Sequence, residues 1–386
     1  MVYLAGDNII SSLGFTTSEN VDKICNGYCG IKVSEDNRLF PAPIHISCVE
    51  TEILENEIDR IGLNNTYTRF EKLTILSITK ALLNSGIDIG HKNTLIILST
   101  TKGNIDLLDK EEARKYNEQR IHLWSSAQEI QQYFKNPNTP LVISNACISG
   151  LMAVIVAQRF MKTGKYTNVV VAGADIMSEF IISGFQSFQA ISMEPCKPFD
   201  MNRAGITIGE GAGTMIFTTE PGNISGNHRI TVTGGASTND ANHISGPSRT
   251  GDGLYFAVKH AMNEADVEIG DIDYISAHGT GTDFNDEMEA RAIAWASLEK
   301  KPVNSYKGYF GHTMGAAGVI ESILGVQSLL RNELYPSMGY EKLGVSVKLN
   351  IIREQKQTPL FQCLKLASGF GGCNAAVIYR KELINR

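Results

Sequence analysis

Residues 141–151 read LVISNACISGL, and this stretch indicates the fold class. The apolar run 141–143 is typical of a buried strand, and the segment 150–158, GLMAVIVAQ, has the composition of a buried helix. The chain must therefore reverse direction within residues 145–149, which places Cys147 at the N-terminus of a helix. A strand that passes through a tight turn into a helix is the building unit of an α/β fold.

The predicted position of Cys147 gives its side chain the properties of a nucleophile. The positive end of the helix dipole favours a thiolate over a thiol, and the turn offers backbone N–H groups to a developing oxyanion. The alternative is a small buried core thiol, which is the commoner environment of a cysteine. This stretch alone leaves both interpretations open.

The rest of the chain alternates predicted strands and helices. The polar segment 101–140 is the exception, and we expect it to be a surface excursion over the core. Strands are predicted at residues 1–5, 94–98, 141–143, 168–172, 211–218, 229–233 and 272–277, with a closing hairpin of 364–367 and 375–379, and helices at 68–83, 150–158, 254–265 and 315–330. Continuous apolar strands separated by helices favour a largely buried α/β sheet arrangement.

The sequence divides into two halves with a shared plan. Each half has a strand followed by a tight turn that carries a reactive side chain, Cys147 in the first and His278 in the second. A segment rich in Gly, Asn and Ser, PGNISGN at residues 221–227, separates them. We predict halves at residues 1–222 and 228–386 that meet face to face, so that a site between them draws side chains from both.

Composition and charge restrict the function classes. With 386 residues, 42% hydrophobic and 20% charged, the chain is an ordinary globular protein, and its net charge of −6 argues against a general nucleic-acid or anionic-membrane binder. Seven scattered cysteines without a CxxC pair fit a reducing compartment. The first residues lack the basic and then apolar pattern expected of a secretory leader, and no apolar stretch reaches about 20 residues. We expect a cytoplasmic protein with neither a nucleic-acid nor a membrane partner.

Three further stretches carry residues suited to chemistry. Each joins reactive or hydroxyl side chains to glycines that let the backbone turn closely. They are SAHGTGTDFND at 276–286, with His278, Thr280 and Thr282; NSYKGYFGHTMGAAGVIE at 304–321, with Lys307, His312 and Glu321; and SGFGGCN at 368–374, with Phe370.

Each of these stretches also has a plainer interpretation. A lone histidine is more often a hydrogen-bonded core residue, Lys307 could be a solvated surface lysine, and glycine loops can be simple turns. The combination with Cys147 favours a single site. No HExxH or paired CxxC motif supports a metal centre, so we interpret His278 and His312 as neutral hydrogen-bond donors.

Taken in order, the segments NACISG, KPFDMNRAGITIGEGAG, AHGTGTDFND, KGYFGHTMGAAGVIE and SGFGG resemble the β-ketoacyl-acyl-carrier-protein synthases of the Cys-His-His branch. These are the elongating, condensing acyltransferases of fatty-acid and polyketide assembly. Weaker similarity begins at SSLGFT, residues 11–16, so the resemblance covers essentially the whole chain. It implies a thiolase-like fold, in which two related α/β halves stack as five layers, αβαβα, and a homodimer.

The resemblance also implies a role for each central residue. Cys147 would take an acyl group from the phosphopantetheine arm of an acyl carrier protein. His278 and His312 would donate from Nε2 to the enolate that forms as a malonyl group loses carbon dioxide. The backbone N–H groups of Cys147 and Phe370 would form the oxyanion hole, and the Phe370 ring would be a gate over the cysteine. No metal or redox cofactor is implied.

Other positions receive supporting roles by the same resemblance. Lys307, paired with Glu321, would tune the electrostatics near the second histidine. Thr280 and Thr282 would line the pantetheine channel. Arg203 would meet the acidic carrier protein, although a structural arginine bonded to Asp200 is an equal alternative.

Some positions depart from the family pattern, and other functions stay open. Ile148 and Ile206 stand where we expect a small or hydroxylic residue and an aromatic residue, so both could reshape the acyl pocket. The chain is also short for the family. One alternative is a subunit of a heterodimer with a chain-length-factor-like partner. Another is an acyl-CoA thiolase, which would use Cys373 as a second reactive cysteine.

Overall fold

The computed structural model describes residues 1–224, 228–240 and 246–383. Its strands are β1 Tyr3–Ile10, β2 Lys32–Ser34, β3 Ile44–Ser47, β4 Thr94–Ser99, β5 Leu141–Ile143, β6 Asn168–Asp175, β7 Ile208–Gly209, β8 Gly211–Thr218, β9 His228–Asn239, β10 Tyr274–Ser276, β11 Pro302–Asn304, β12 Glu333–Leu334, β13 Asn350–Ile351, β14 Lys356–Gln357, β15 Gln362–Gly369 and β16 Cys373–Leu383. Its helices are α1 Thr17–Cys25, α2 Thr51–Arg60, α3 Arg69–Leu82, α4 Lys110–Ala113, α5 Leu123–Tyr133, α6 Ser149–Lys162, α7 Glu179–Ser187, α8 Asp252–Ala265, α9 Asp283–Trp295, α10 Lys307–Phe310 and α11 Ala317–Arg331.

Most of the longer strands belong to one mixed sheet with two recognisable parts. Its order is β13-β11-β10-β15-β16-β9-β1-β8-β6-β4-β5, in which the last five strands come from the first half of the chain. The two parts join where Tyr3 of β1 pairs with Thr231 of β9. The division into residues 1–222 and 228–386 stays a prediction, because the sheet is continuous and residues 225–227 lie outside the described part of the chain.

The helices and the two parts of the sheet form five layers. Helices α6 and α11 lie in the middle, because both contact strands from both parts of the sheet and also contact each other. Helix α3 packs on the outer face of the first part, against β1, β6 and β8. Helix α8 packs on the second part, against β9 and β16, and contacts α9. The α/β architecture with five layers, αβαβα, is confirmed.

Glycines in the two central helices allow the close contact that brings the halves together. A Cβ on Gly150 would lie 2.7 Å from the backbone nitrogen of Val319, and a Cβ on Gly318 would lie 2.3 Å from that of Leu151. Any larger side chain at either position would push α6 and α11 apart. The start of α6, which follows Cys147, is therefore held against the start of α11.

The predicted elements are observed, although several are longer than predicted and some helices, such as α1 and α9, were not predicted. Strand β1 continues to Ile10 and β9 to Asn239, because a polar residue within a strand does not end its pairing with neighbours. The predicted surface excursion, residues 101–140, contacts the core through helix α5. That helix packs against α3 and buries Ala127 and Ile130 in the core, although Trp124 is 53% exposed.

Two expectations about the chemical environment can be compared with the structure. All seven cysteines are free, in keeping with their scattered spacing. Among the residues that the structure describes, no helix is long and apolar enough to cross a lipid bilayer.

Candidate active site

Cys147 lies in a strained turn between β5 and α6. Its neighbour Ala146 has φ 46°, in the left-handed region that a residue with a side chain rarely adopts. Two hydrogen bonds hold this conformation: the hydroxyl of Ser149 accepts from the N–H of Asn145 at 2.8 Å and donates to the carbonyl of Ala146 at 2.6 Å. The predicted sharp reversal is confirmed, and it leaves the Cys147 side chain 5% exposed at the helix start.

The glycine loop after β15 closes over the sulfur. A Cβ on Gly369 would lie 3.0 Å from the backbone nitrogen of Cys147, so only glycine lets the loop approach this closely. The backbone N–H of Phe370 lies close enough to the Cys147 sulfur to lower the pKa of the thiol. This position suits one donor of the predicted oxyanion hole. The role of the Cys147 N–H as the second donor stays a prediction.

The ring of Phe370 belongs to a cluster of three aromatic rings, which we call the aromatic gate. Its centroid is 5.0 Å from that of Phe188 and 5.6 Å from that of Phe185. The sequence motifs indicated Phe370 but not the other two rings. Phenylalanine recurs three times in the segment FIISGFQSF, residues 180–188, and this recurrence could have indicated an aromatic cluster. All three rings line the cavity that leads to Cys147.

His278 follows β10 and is fixed by a buried acid that the sequence analysis missed. The N–H groups of His278 and Gly279 donate to the two carboxylate oxygens of Glu289, at 2.6 and 2.7 Å. Glu289 lies on α9 and is fully buried. Burial raises the pKa of its carboxyl to about 7. The spacing of two acids, Asp286 and Glu289, on one helix face after the AHGTGT turn could have indicated this anchor.

The next residues of this loop line the cavity. The hydroxyl oxygens of Thr280 and Thr282 are 2.9 Å apart, and both residues face the cavity. The N–H of Thr280 donates to Asp286 at 2.9 Å, so α9 fixes this part of the loop as well. Their position is compatible with the pantetheine channel, and that role stays a prediction.

Lys307 connects His278 to Glu321 in the interior of the protein. Its ammonium group donates to the backbone carbonyl of His278 at 2.6 Å and to Oε1 of Glu321 at 2.6 Å, and it lies 3.3 Å from Nδ1 of His278. Lys307 is fully buried and Glu321 is 1% exposed. The predicted Lys307–Glu321 pair is therefore present, next to the first histidine. A second lysine, Lys365, binds the other oxygen of Glu321 and was missed by the sequence analysis.

The two imidazoles have the tautomer and charge that a hydrogen-bond donor requires. An ammonium group can only donate, so Nδ1 of His278 accepts from Lys307 and its proton lies on Nε2. The N–H of Met314 likewise donates to Nδ1 of His312 at 3.0 Å. Burial, followed by the charge of Lys307, lowers the pKa of both histidines well below its ordinary value. Both rings are thus neutral Nε2–H donors.

The cysteine and the two histidines come together in one cavity of about 260 Å³. Their sulfur and ring nitrogen atoms lie within 4.8 Å of one another, and the ring centroids of His278 and His312 are 5.1 Å apart. Ile206 also lines this cavity, whereas Ile148 is fully buried in the main hydrophobic core. The predicted effect of Ile206 on the shape of the cavity stays a prediction. Ile148 does not line the cavity and contributes to core packing.

Burial acts on the charge of Cys147 in the direction opposite to the helix N-terminus. Burial raises the pKa of its thiol to about 12, and the nearby Cys373 adds to this effect. Lys307 and the N–H of Phe370 act in the opposite direction but do not outweigh burial. Burial therefore opposes the thiolate that the helix N-terminus favours, and Cys147 must lose its proton before or during attack on a substrate.

The environment of Arg203 favours its structural interpretation. Its guanidinium donates to the carbonyls of Asp200 and Gly344, at 3.0 and 2.5 Å, and lies 3.3 Å from the carboxylate of Asp283. The side chain is 7% exposed. An arginine held in this way has little surface to offer, so docking of the carrier protein at Arg203 stays an untested prediction.

Replacement of Glu289 by Gln tests the anchor beneath His278. We expect the decarboxylation that the resemblance implies to slow about tenfold or more, because one of the two backbone N–H groups loses its acceptor. Burial raises the pKa of Glu289 from 4.5 to about 7. Between these two pH values the folded chain keeps the proton on Glu289, whereas the unfolded chain has released it. The unfolding free energy therefore falls as pH rises through this window, and the variant should lack that fall.

Urea unfolding at several pH values and an activity assay measure the two effects. Glu287→Gln on the same helix makes the same chemical change at a partly exposed acid that bonds to Arg291. We expect this control to retain activity. An unchanged pH dependence and full activity in Glu289→Gln would contradict the assigned anchor.

Comparison with known proteins agrees with this site. Residues 6–221 match the family model of the β-ketoacyl synthase N-terminal domain, and residues 230–341 match that of its C-terminal domain. The chain belongs to the β-ketoacyl synthase family. The proposed membership is thereby confirmed over most of the sequence.

Two curated β-ketoacyl synthases and one solved structure illustrate the relationship. The chain is 32% identical to 3-oxoacyl-[acyl-carrier-protein] synthase 2 of Vibrio cholerae, and the match covers 65% of this chain and 64% of that protein. It is 29% identical to 3-oxoacyl-[acyl-carrier-protein] synthase 2 of Rhizobium meliloti, and the match covers 68% of this chain and 65% of that protein. It therefore spans just under two thirds of each of these relatives. One chain of the solved complex between the ketosynthase ApeO and its chain length factor ApeC, from Xenorhabdus doucetiae, superposes with a TM-score of 0.87 at 24% identity, over 98% of this chain and 97% of that one. This likeness confirms the thiolase-like fold.

Proposed function

We propose that the chain is an acyltransferase that condenses an acyl thioester with malonyl-acyl-carrier protein, with loss of carbon dioxide, to give β-ketoacyl-acyl-carrier protein. The pathway would be fatty-acid or polyene- and polyketide-type biosynthesis. One observation carries the proposal: the Cys147 sulfur and the ring nitrogens of His278 and His312 converge within 4.8 Å in one cavity. Family membership supports the same reaction class.

Acyl transfer is the first half-reaction. The Cys147 sulfur attacks the carbonyl carbon of the acyl-pantetheine thioester, and the backbone N–H groups of Cys147 and Phe370 bind the negative oxygen that forms. The C–S bond to pantetheine then breaks. Its thiolate leaves and takes up the proton that Cys147 has lost, so the carrier protein departs as a free thiol. The acyl group remains on the enzyme as a thioester.

Condensation is the second half-reaction. Nε2–H of His278 and of His312 donate to the thioester carbonyl oxygen of a malonyl group. The bond to the carboxylate breaks, carbon dioxide leaves, and its electron pair forms an enolate that these two donors stabilise. The enolate carbon attacks the acyl thioester on Cys147, and the cysteine leaves as a thiolate. Neutral imidazoles suit this step, and Lys307 helps to keep them neutral.

A product assay tests the proposal. Purified chain is incubated with acyl-carrier protein and malonyl-carrier protein, and the carrier protein is analysed by mass spectrometry. We expect a β-ketoacyl group longer by two carbons and one carbon dioxide for each product. Two results would contradict the proposed reaction. In one, the acyl group is released only as the free acid; in the other, it is transferred to coenzyme A without release of carbon dioxide.

The proposed mechanism requires neither a metal ion nor a redox cofactor. The three side chains around the cavity are close enough to hold a metal ion. A cation there would face the Lys307 ammonium, which lies 3.3 Å from the His278 ring. We expect the condensation rate to be unchanged after dialysis against a chelator. Elemental analysis verifies that the dialysed protein contains no metal. A rate that falls and returns on addition of one metal would contradict this expectation.

The partners of the reaction follow from its substrates. An acyl carrier protein presents both thioesters, and the chain would act either as a homodimer or with a chain-length-factor-like subunit. The solved ketosynthase in complex with its chain length factor supports the second arrangement. Analytical ultracentrifugation of the chain alone distinguishes a self-associating dimer from a monomer that awaits a partner. We propose the cytoplasm as its location, where carrier proteins and reduced cysteines are both available.

The alternative functions have weaker support in the structure. A non-catalytic subunit has no need of a nucleophile, yet Cys147 and both histidines are assembled here. A thiolase needs a second cysteine at the reacting centre. Cys373 is close enough to Cys147 to raise the pKa of its thiol, but it does not line the cavity that holds Cys147 and the two histidines. Its sulfur contacts the carbonyls of Phe370 at 3.4 Å and Asn145 at 3.7 Å.

A further inference from the structure

Lys365 lies in the middle of β15, a strand whose other residues are mostly apolar. Its side chain is fully buried, which costs free energy unless its charge is paired. In the parallel pairing of β15 with β10, it stands next to Ser276, two residues before His278. The same strand leads onward to Gly369 and Phe370. Lys365 is thus placed between the histidine loop and the aromatic gate.

The contacts of Lys365 account for its whole ammonium group. It donates to Oε2 of Glu321 at 2.6 Å and to the carbonyls of Ala277 and Ser276 at 3.1 and 3.3 Å. Lys307 binds the other oxygen of the same carboxylate. One buried glutamate therefore joins two buried lysines in a bridge, which we call the Lys-Glu-Lys bridge.

The bridge has two consequences for the histidines. One lysine would balance the charge of Glu321, so a charged Lys365 leaves an excess positive charge beside the cavity. Burial lowers the pKa of Lys365, and the contact with Glu321 opposes that effect. Lys365 also fixes the two carbonyl groups that come immediately before His278. We infer that Lys365 is a positioning residue of the condensation site: through Glu321 and the end of β10 it orients Lys307 and His278, and its charge favours neutral imidazoles. This inference rests on the proposed condensation.

Other charged groups also face the two imidazoles, so the contribution of Lys365 must be separated from theirs. Lys307 acts in the same direction as Lys365, since both lower the histidine pKa values. The acids of the surrounding elements are Glu321 on α11, Glu289 and Asp286 on α9, and Asp175 at the end of β6, which accepts from the N–H of Gly315. A variant that changes only the charge of Lys365 leaves all of these in place.

Lys365→Met tests the inference with two readouts. Methionine keeps much of the side-chain length and leaves Glu321 paired with Lys307. We expect malonyl decarboxylation to fall about 10- to 100-fold, as for outer groups that orient catalytic histidines at metal sites. The acid limb of the pH–rate profile should move to higher pH, because an imidazolium is less opposed without the second cation. Acylation of Cys147 should persist.

Lys365→Arg is the matched control, because it retains the charge and changes only the fit. We expect its rate to fall while the acid limb stays at the pH of the original chain. A merely structural lysine would lower the rate or stability of both variants without moving the acid limb. If Lys365→Met does not fold, Lys365→Gln replaces it, since glutamine can still donate to Glu321 without a charge.

Histidine NMR provides a readout that does not depend on any substrate. The ring signals of His278 and His312 are titrated in the original chain and in the uncharged variant. Titration at higher pH in the variant supports the positioning role even if the condensation assay shows a different reaction. Unchanged titration together with an unchanged decarboxylation rate would overturn the inference.

Discussion

Cys147→Ala is expected to abolish transfer of the acyl group to the enzyme, with a loss of at least about 10⁴-fold, because the reaction then has no nucleophile to form the covalent intermediate. The fold should persist, since a small buried side chain is replaced by a smaller one at a cost of about 1 kcal/mol. Intact-protein mass spectrometry after incubation with acyl-carrier protein measures the acyl group directly.

Cys363→Ala is the matched control for this experiment. Cys363 is fully buried in the main hydrophobic core, so its replacement makes the same chemical change away from the cavity. The Cys363→Ala variant should be acylated on Cys147 at the rate of the original chain. Acylation of Cys147→Ala at another residue would show that Cys147 is not the nucleophile.

His312→Ala is expected to separate the two half-reactions. Cys147 can still be acylated, because its oxyanion donors are backbone N–H groups. Decarboxylation of malonyl-carrier protein should fall about 10²- to 10³-fold, the usual loss when one preorganised donor to an oxyanion is removed. Carbon dioxide release and intact mass, measured on the same sample, report the two steps separately.

The exposed His260 on α8 provides a control for the loss of an imidazole. His260→Ala should leave both steps unchanged. Undiminished carbon dioxide release in His312→Ala would refute the enolate role. Loss of acylation as well would indicate that His312 takes part in the first step.

Much of the architecture can be predicted from the sequence because its signals are local. The strand–turn–helix at Cys147 follows from a short apolar run, a polar turn and a glycine-rich apolar helix. The glycines around Gly150 and Gly318 predict close packing, and the structure shows which helices approach. His278 and His312 are 34 residues apart in the sequence. The shared plan of the two halves predicted a single site with Cys147, and the resemblance to a known family implied the role of each residue in it.

The residues that the sequence analysis missed support the site from other elements. Glu289 binds backbone N–H groups, and Lys365 binds backbone carbonyls, so neither belongs to a motif of reactive side chains. Phe185 and Phe188 reach Phe370 only after the two halves meet. The resting charge of Cys147 could not be predicted either, since burial depends on the whole fold and opposes the helix N-terminus.

The central claim is that an acyl group on Cys147 is consumed by decarboxylative condensation. The most direct measurement is a single turnover of isolated acyl-enzyme with malonyl-carrier protein labelled with ¹³C in the free carboxyl group. The account predicts that each acyl group lost from Cys147 appears on the carrier protein as a β-ketoacyl thioester, together with one ¹³CO₂. An acyl group that stays on the enzyme, or leaves without ¹³CO₂, would contradict it.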